Sequence, residues 1–197
     1  MPRNKRPVYS SNIKDMTFLF LETRKASKLV VDGVPLESII LLSVEKNIFQ
    51  LDKERRRLSL AQKVVSRLSV LTDIQLSAIA SASDEIAKLV VFYAIIKTDL
   101  LFFEFMKVVY SENQNVGQFE IQDTDIISFL HSKEEIARWT DNNFTRVKNT
   151  YKAILCEAGL SSRDDHVLRI HKPITDDLLK EVYPFADDYT EAMGLEL

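Results

Sequence analysis

The sequence predicts an all-α protein. It reads as a compact helical body over residues 1–119 with a winged-helix-like lobe over 120–197, together one unit. Three observations carry this. Glycine and proline are scarce, 4 and 5 in 197 residues, so tight turns and strand punctuation are few. The stretch Asp84 to Tyr110 is apolar at helical spacing on more than one face and so must be buried nearly all round. Capping residues precede most of the apolar segments.

Residues 1–8, with Arg3, Lys5, Arg6 and two prolines, read as a basic arm; no apolar signal-peptide core follows, and no export is expected. Asp15 to Val31 reads as a helix with Phe18, Leu21, Lys25 and Leu29 along one side. Gly33 and Pro35 stop it. Leu36 to Glu45 is a short apolar helix, and Asn47 marks a break.

Asp52 to Leu71 is the most charged helix, with Leu60, Val64, Leu68 and Leu71 as its buried stripe. Arg55, Arg56, Lys63 and Arg67 lie at or along the flank of that stripe. Two readings are open: a solvated face whose long side chains cover the core edge, or a ridge that contacts phosphates. From this helix alone the solvated face is the simpler reading. Asp73 to Ser81 is a further short helix.

In the central stretch Ser83 caps a first helix, and Thr98 or Asp99 can cap a second after Lys97. Two core helices should meet there at a tight corner. A membrane span is excluded because any window of about 20 residues carries Lys97 and Asp99, at about +3 kcal/mol each.

Ser111 to Gln122 is polar and without period, a linker and the expected lobe boundary. Asp123 or Thr124 should cap a short helix through Leu130. Ser132 and Glu135 form a capping box opening a helix to Trp139. Thr140-Asp141 caps a longer helix from Asn142 to Ala158, closed by Gly159. Its outer side shows Asn142, Thr145, Arg146, Asn149 and Ala153, with Lys152 at the margin. After a polar loop, Val167 to Ile170 alternates like a strand. Helices followed by a short strand are the order of a winged helix-turn-helix, whose third helix enters the major groove. Asn, Thr and Arg can read base edges and bind phosphates, although many surface helices carry such a face.

The net charge of −3 argues at first against a nucleic-acid partner. From Ile174 onward, however, seven acids stand against one lysine, a local −6 that leaves the rest of the chain at +3. The single cysteine, Cys156, excludes an internal disulfide and fits a reducing cytoplasm. Catalytic and cofactor signatures are missing: no glycine-rich phosphate loop, no cysteine pair, no HExxH, no GxSxG. His166 and His171 with Asp164 and Asp165 lack a third ordered ligand for a metal. The residues therefore name no catalytic group, no metal and no cofactor.

Short matches in a fixed order identify the chain as resembling the BrxA family of bacteriophage-exclusion (BREX) defence loci. They are Tyr9-Ser10-Ser11, Glu22, Asn47-Ile48, Arg55-Arg56-Arg57 to Arg67-Leu68, and Phe92-Tyr93 to Lys97-Thr98-Asp99-Leu100-Leu101 with Phe105. Further on come Asp125-Ile126, Phe129-Leu130, Trp139-Thr140, Thr145-Arg146, Tyr151 and Leu155 with Ala158-Gly159-Leu160. The likeness runs from about Tyr9 to Val182 and leaves out the acidic end. It implies a helical protein similar to the antitermination factor NusB that binds double-stranded DNA, meets other BREX proteins and is not an enzyme. The site residues expected to touch DNA are then Arg55, Arg56, Lys63 and Arg67 on one helix and Asn142, Thr145, Arg146, Asn149 and Lys152 on the other. The alternative is a protein–protein adaptor that docks through the apolar helix around Ile39 to Leu42. No membrane contact and no small-molecule substrate are expected.

Overall fold

The computed structural model describes residues 9–15, 18–174 and 176–195. The expected basic arm over 1–8 lies outside the described residues. The protein is mostly helical, with one small sheet. In chain order the body contains a 3-10 turn at Asn12–Asp15, then α1 (Phe20–Val31), α2 (Ser38–Lys46), α3 (Glu54–Leu68), α4 (Asp73–Ser81), α5 (Asp84–Thr98) and α6 (Leu100–Phe105). A π-helical turn, Met106–Ser111, runs on into α7 (Glu112–Asn115). Then follow β1 (Glu120–Gln122), α8 (Asp123–His131), a 3-10 turn at Glu134–Ile136, α9 (Asp141–Glu157), β2 (Ser161–Asp164) and β3 (Val167–Ile170). The chain closes with α10 (Asp177–Val182) and α11 (Asp188–Ala192).

α5 is the central rod: Leu89 through Ile96 are all buried, on every face. The hydroxyl of Ser83 caps its start at the Ile86 N–H. The corner between α5 and α6 is made by Asp99, whose carboxylate accepts from the Phe102 N–H at 3.0 Å. α4 opens with a reciprocal Thr72–Gln75 capping box. α1 differs from its expected form. Leu19 adopts a left-handed φ of 54°, so the helix begins only at Phe20, and Leu21 is 75% exposed. Its inner face is small instead: Thr23, Ala26 and Ser27. Small side chains bring α1 close enough to α4 for the Ser27 hydroxyl to donate to the Leu76 carbonyl at 2.7 Å.

The strand read at Val167–Ile170 forms as β3, but two further short strands pair with it, antiparallel in the order β1-β3-β2, so the chain is mostly helical rather than all-α. Their inward residues, Ile121 and Leu168, face each other in register and are buried. The supposed linker supplies β1 and α7, and the polar loop after Gly159 supplies β2. Such short polar strands have no apolar alternation of their own; they form because β3 pairs with them. The Ser132 capping box also fails to form. The Ser132 hydroxyl donates backward to the Phe129 carbonyl, and only one 3-10 turn follows.

The two parts share one core. Tyr151 of α9 packs on Phe102 with ring centroids 4.5 Å apart, and Phe129 packs edge-on against Phe105 at 5.7 Å. The acidic end is docked rather than free. The Tyr93 hydroxyl donates to Asp187 at 2.6 Å, and Leu179, Val182, Tyr183, Ala192 and Met193 are buried.

Candidate nucleic-acid interface

α3 displays its first-turn cations outward. Arg55 and Arg56 are exposed. Arg57 turns inward, its Nε donating to the Leu51 carbonyl at 2.6 Å and closing the preceding loop. Lys63 is half-buried. Burial, and then the neighbouring Arg67, lower its pKa, while Asp99 pulls it back.

Arg67 cannot join an exposed ridge. It is fully buried, and its guanidinium donates to the Phe18 carbonyl at 2.7 Å. Burial lowers its pKa to about 10, opposed mainly by Asp99, so it stays charged at neutral pH. Asp99 is the acid this cation needs inside the core. Burial raises the Asp99 pKa, against the Phe102 N–H, Lys63 and Arg67, which lower it. Arg67 is therefore removed from the expected DNA contacts because it ties α3 to the chain entering α1.

On α9 the expected outer side is largely as the spacing predicts. Thr140 caps the helix at the Asn143 N–H, and Gly159 ends it at φ 77°. Asn142, Thr145, Arg146 and Asn149 are exposed. Lys152 is not: it is fully buried. Its ammonium pairs with Asp123 and also donates to the Asp165 carbonyl at 3.2 Å.

Asp123, expected as a cap, has a different role. It does not cap α8; Asp125 accepts from the Gln122 N–H at 2.8 Å instead. The Asp123 carboxylate turns to α9 and the β2–β3 turn, taking Lys148 at 2.7 Å, Lys152, and His166 Nδ1 at 3.3 Å. Its backbone N–H also donates to the His166 carbonyl at 2.9 Å. Burial pushes its pKa up, but the hydrogen bonds from Lys148, Lys152 and His166 outweigh it and hold the group at about 2. The one signal in the sequence was the pair Lys148 and Lys152, four residues apart on one helix face, a like-charge pair that a nearby carboxylate relieves. Beside this hub, Lys148, Asn149, Arg163, Asp165 and His166 line a cleft of about 510 Å³ between α9 and the hairpin turn.

The sign of the pH effect follows. A carboxyl held near 2 when folded and near about 3.9 when unfolded stabilises fully above the unfolded value. That stabilisation, about 2 kcal/mol, is lost as pH falls toward 2. Urea unfolding at pH 5 and pH 2.5 should show the loss, and Asp123→Asn should show a smaller one.

The two faces meet at the turn Asn12–Asp15. Asp15 accepts from Arg146 of α9 at 2.9 Å and also lines a groove with Arg55 and Lys63 of α3. The cations Arg55, Arg56, Lys63 and Arg146 and the α9 amides thus lie on neighbouring elements rather than on opposite sides of the chain. Among the described residues no cluster of His, Cys, Asp and Glu is arranged to hold a metal. Among the described residues, no helix is long and apolar enough to cross a membrane.

Set against known proteins, residues 7–182 match the BrxA family model. The chain is 34% identical over 188 residues to the BREX protein BrxA of Bacillus cereus (strain H3081.97), covering 93% of this chain and 94% of that protein. The chain belongs to the BrxA family. BrxA is a component of BREX phage-defence systems, and this chain belongs among them. The BrxA match contains both α3 and α9 and ends at Val182, before α11. A crystal structure of an uncharacterized protein from Magnetospirillum magneticum shares the fold at TM-score 0.76 and 18% identity, over 95% of this chain and 98% of that one.

Proposed function

We propose that this BrxA-family chain is a cytoplasmic, non-catalytic double-stranded-DNA-binding component that works beside other BREX proteins. The observation that carries the reading is the outer face of α9. Asn142, Thr145, Arg146 and Asn149 stand exposed together, bordered through Asp15 by the cations of α3. We read the lobe over residues 120–197, entered from the helical stretch before it, as winged-helix-like on a body similar to NusB. A helical stretch, β1, α8, α9 and the β2–β3 hairpin follow one another in that order, and α9 takes the place of the recognition helix. α3 supplies guanidinium groups for phosphates, and α9 supplies amides and a guanidinium for base edges.

A mobility-shift series on duplex DNA over rising salt tests this. Affinity should fall steeply, with a log–log slope near about −0.9 per phosphate neutralised. No shift at low salt would instead favour the adaptor reading, for which Leu41 of α2, 56% exposed, is the supporting feature. Within the DNA reading, Arg146→Ala with Asn149→Ala should cost about 1–3 kcal/mol per base contact on a preferred site and much less on other duplexes. An equal loss on every duplex would assign α9 to phosphate contact alone.

A further inference from the structure

We infer that the groove between the Asn12–Asp15 turn and α3 is a seat for a backbone phosphate of the nucleic acid, and that the carboxylate of Asp15 holds its place in the free protein. This inference rests on the proposed DNA-binding role. The groove encloses about 560 Å³. Arg55 and Lys63 bring cations to it, Ser59 and Ser66 hydroxyls, and Gln62 and Asn12 amides. Every lining side chain but Asp15 carries a donor group, as a phosphate with its acceptor oxygens requires, although the Ser59 hydroxyl donates to the Arg55 carbonyl at 2.9 Å in the free protein and must turn to reach a phosphate. Asp15 is the only acid among those lining residues.

The same carboxylate reaches the other face. Its Oδ1 accepts from the Arg146 guanidinium of α9 at 2.9 Å, and the two side chains are 54% and 50% exposed. An ion pair so open to water is weak and is exchanged at little cost. Asp15 therefore links the α3 groove that it lines to Arg146 of α9, presenting two acceptor oxygens as a phosphodiester would. An arriving phosphate replaces it, releases Arg146 and joins the two faces into one track. Ser59 and Gln62 become backbone contacts that helix spacing alone did not single out. These contacts carry no base information, so the effect is the same on every duplex.

The test is duplex binding over a salt series by Asp15→Asn and, separately, Gln62→Glu, with thermal unfolding of each protein as a control. Asparagine keeps the size of Asp15 and can still accept from Arg146. Asp15→Asn should tighten binding about two- to fivefold at low salt, the range an exposed ion pair is worth, and should steepen the salt dependence. Gln62→Glu, which adds an acid to the groove on an exposed residue, should weaken binding by a similar factor. If wild type binds but neither variant differs from it, or Asp15→Asn binds more weakly while folded, the inference is overturned and the DNA reading stands. If Asp15→Asn is unfolded, the Gln62→Glu result decides alone. No binding by wild type at low salt overturns the DNA reading and this inference with it.

Discussion

Asp123→Ala is expected to destabilise the protein by about 3–5 kcal/mol, read as the shift of a urea unfolding midpoint at pH 7. Lys152 lies beneath Asp123 with no exposure, so removing the carboxylate strands a buried ammonium with the Asp165 carbonyl as its other acceptor among the described residues. Lys148 and His166 lose the same partner, though both reach water and contribute less. The charge imbalance, rather than the lost attraction, sets the size of the effect. Lys152→Met in the Asp123→Ala background should therefore recover much of the stability, a coupling that a double-mutant cycle reads directly. Additive losses from the two changes would show that Lys152 finds another acid or reaches solvent. A secondary result concerns the β2–β3 turn, which Asp123 fastens to α9. Its amides should exchange faster with solvent in Asp123→Ala even where the rest of the chain is protected.

Arg55→Glu with Arg56→Glu should weaken binding to all duplexes by about ten- to a hundredfold at low salt, and lower the salt slope by about two units. Both side chains are exposed at the first turn of α3 and neither is among the buried residues of the helix. Folding should be unchanged, so a lost shift reports on the interface. Reversal gives a large effect because it removes two attractions and adds two repulsions. An unchanged affinity in a folded protein would make the α3 face a solvated surface and confine DNA contact to α9. Lys63 is less suited to this experiment, since it stands half-buried between Arg67 and Asp99.

Local signals in the sequence suffice where a helix starts on its own side chains. α4 spans Asp73–Ser81 as expected, and the caps at Ser83, Asp99 and Thr140 are where the residue types place them. Signals failed where a distant partner decided. The Ser132 box competes with a hydroxyl bond back to Phe129 and loses. α1 departs from its expected form because its close packing relies on Ala26 and Ser27, small residues that carry little hydrophobic signal.

The candidate site divides in the same way. Helical spacing by itself determined that Asn142, Thr145, Arg146 and Asn149 share one side of α9, and that α5, apolar on every side, must be buried. The ordered residues from Tyr9 to Val182 were enough to indicate the family. Only the tertiary structure decided which cations reach water. Arg67 lies one turn beyond Lys63 and Lys152 one turn beyond Lys148, yet each deeper residue is fully buried while its neighbour keeps a partial reach to water. The physical reason is that a helix repeat sets the angle between side chains but not which sector a neighbour will cover. The cover here comes from Phe18 and Asp99 for Arg67 and from Asp123 for Lys152, residues far along the chain that only folding brings beside them.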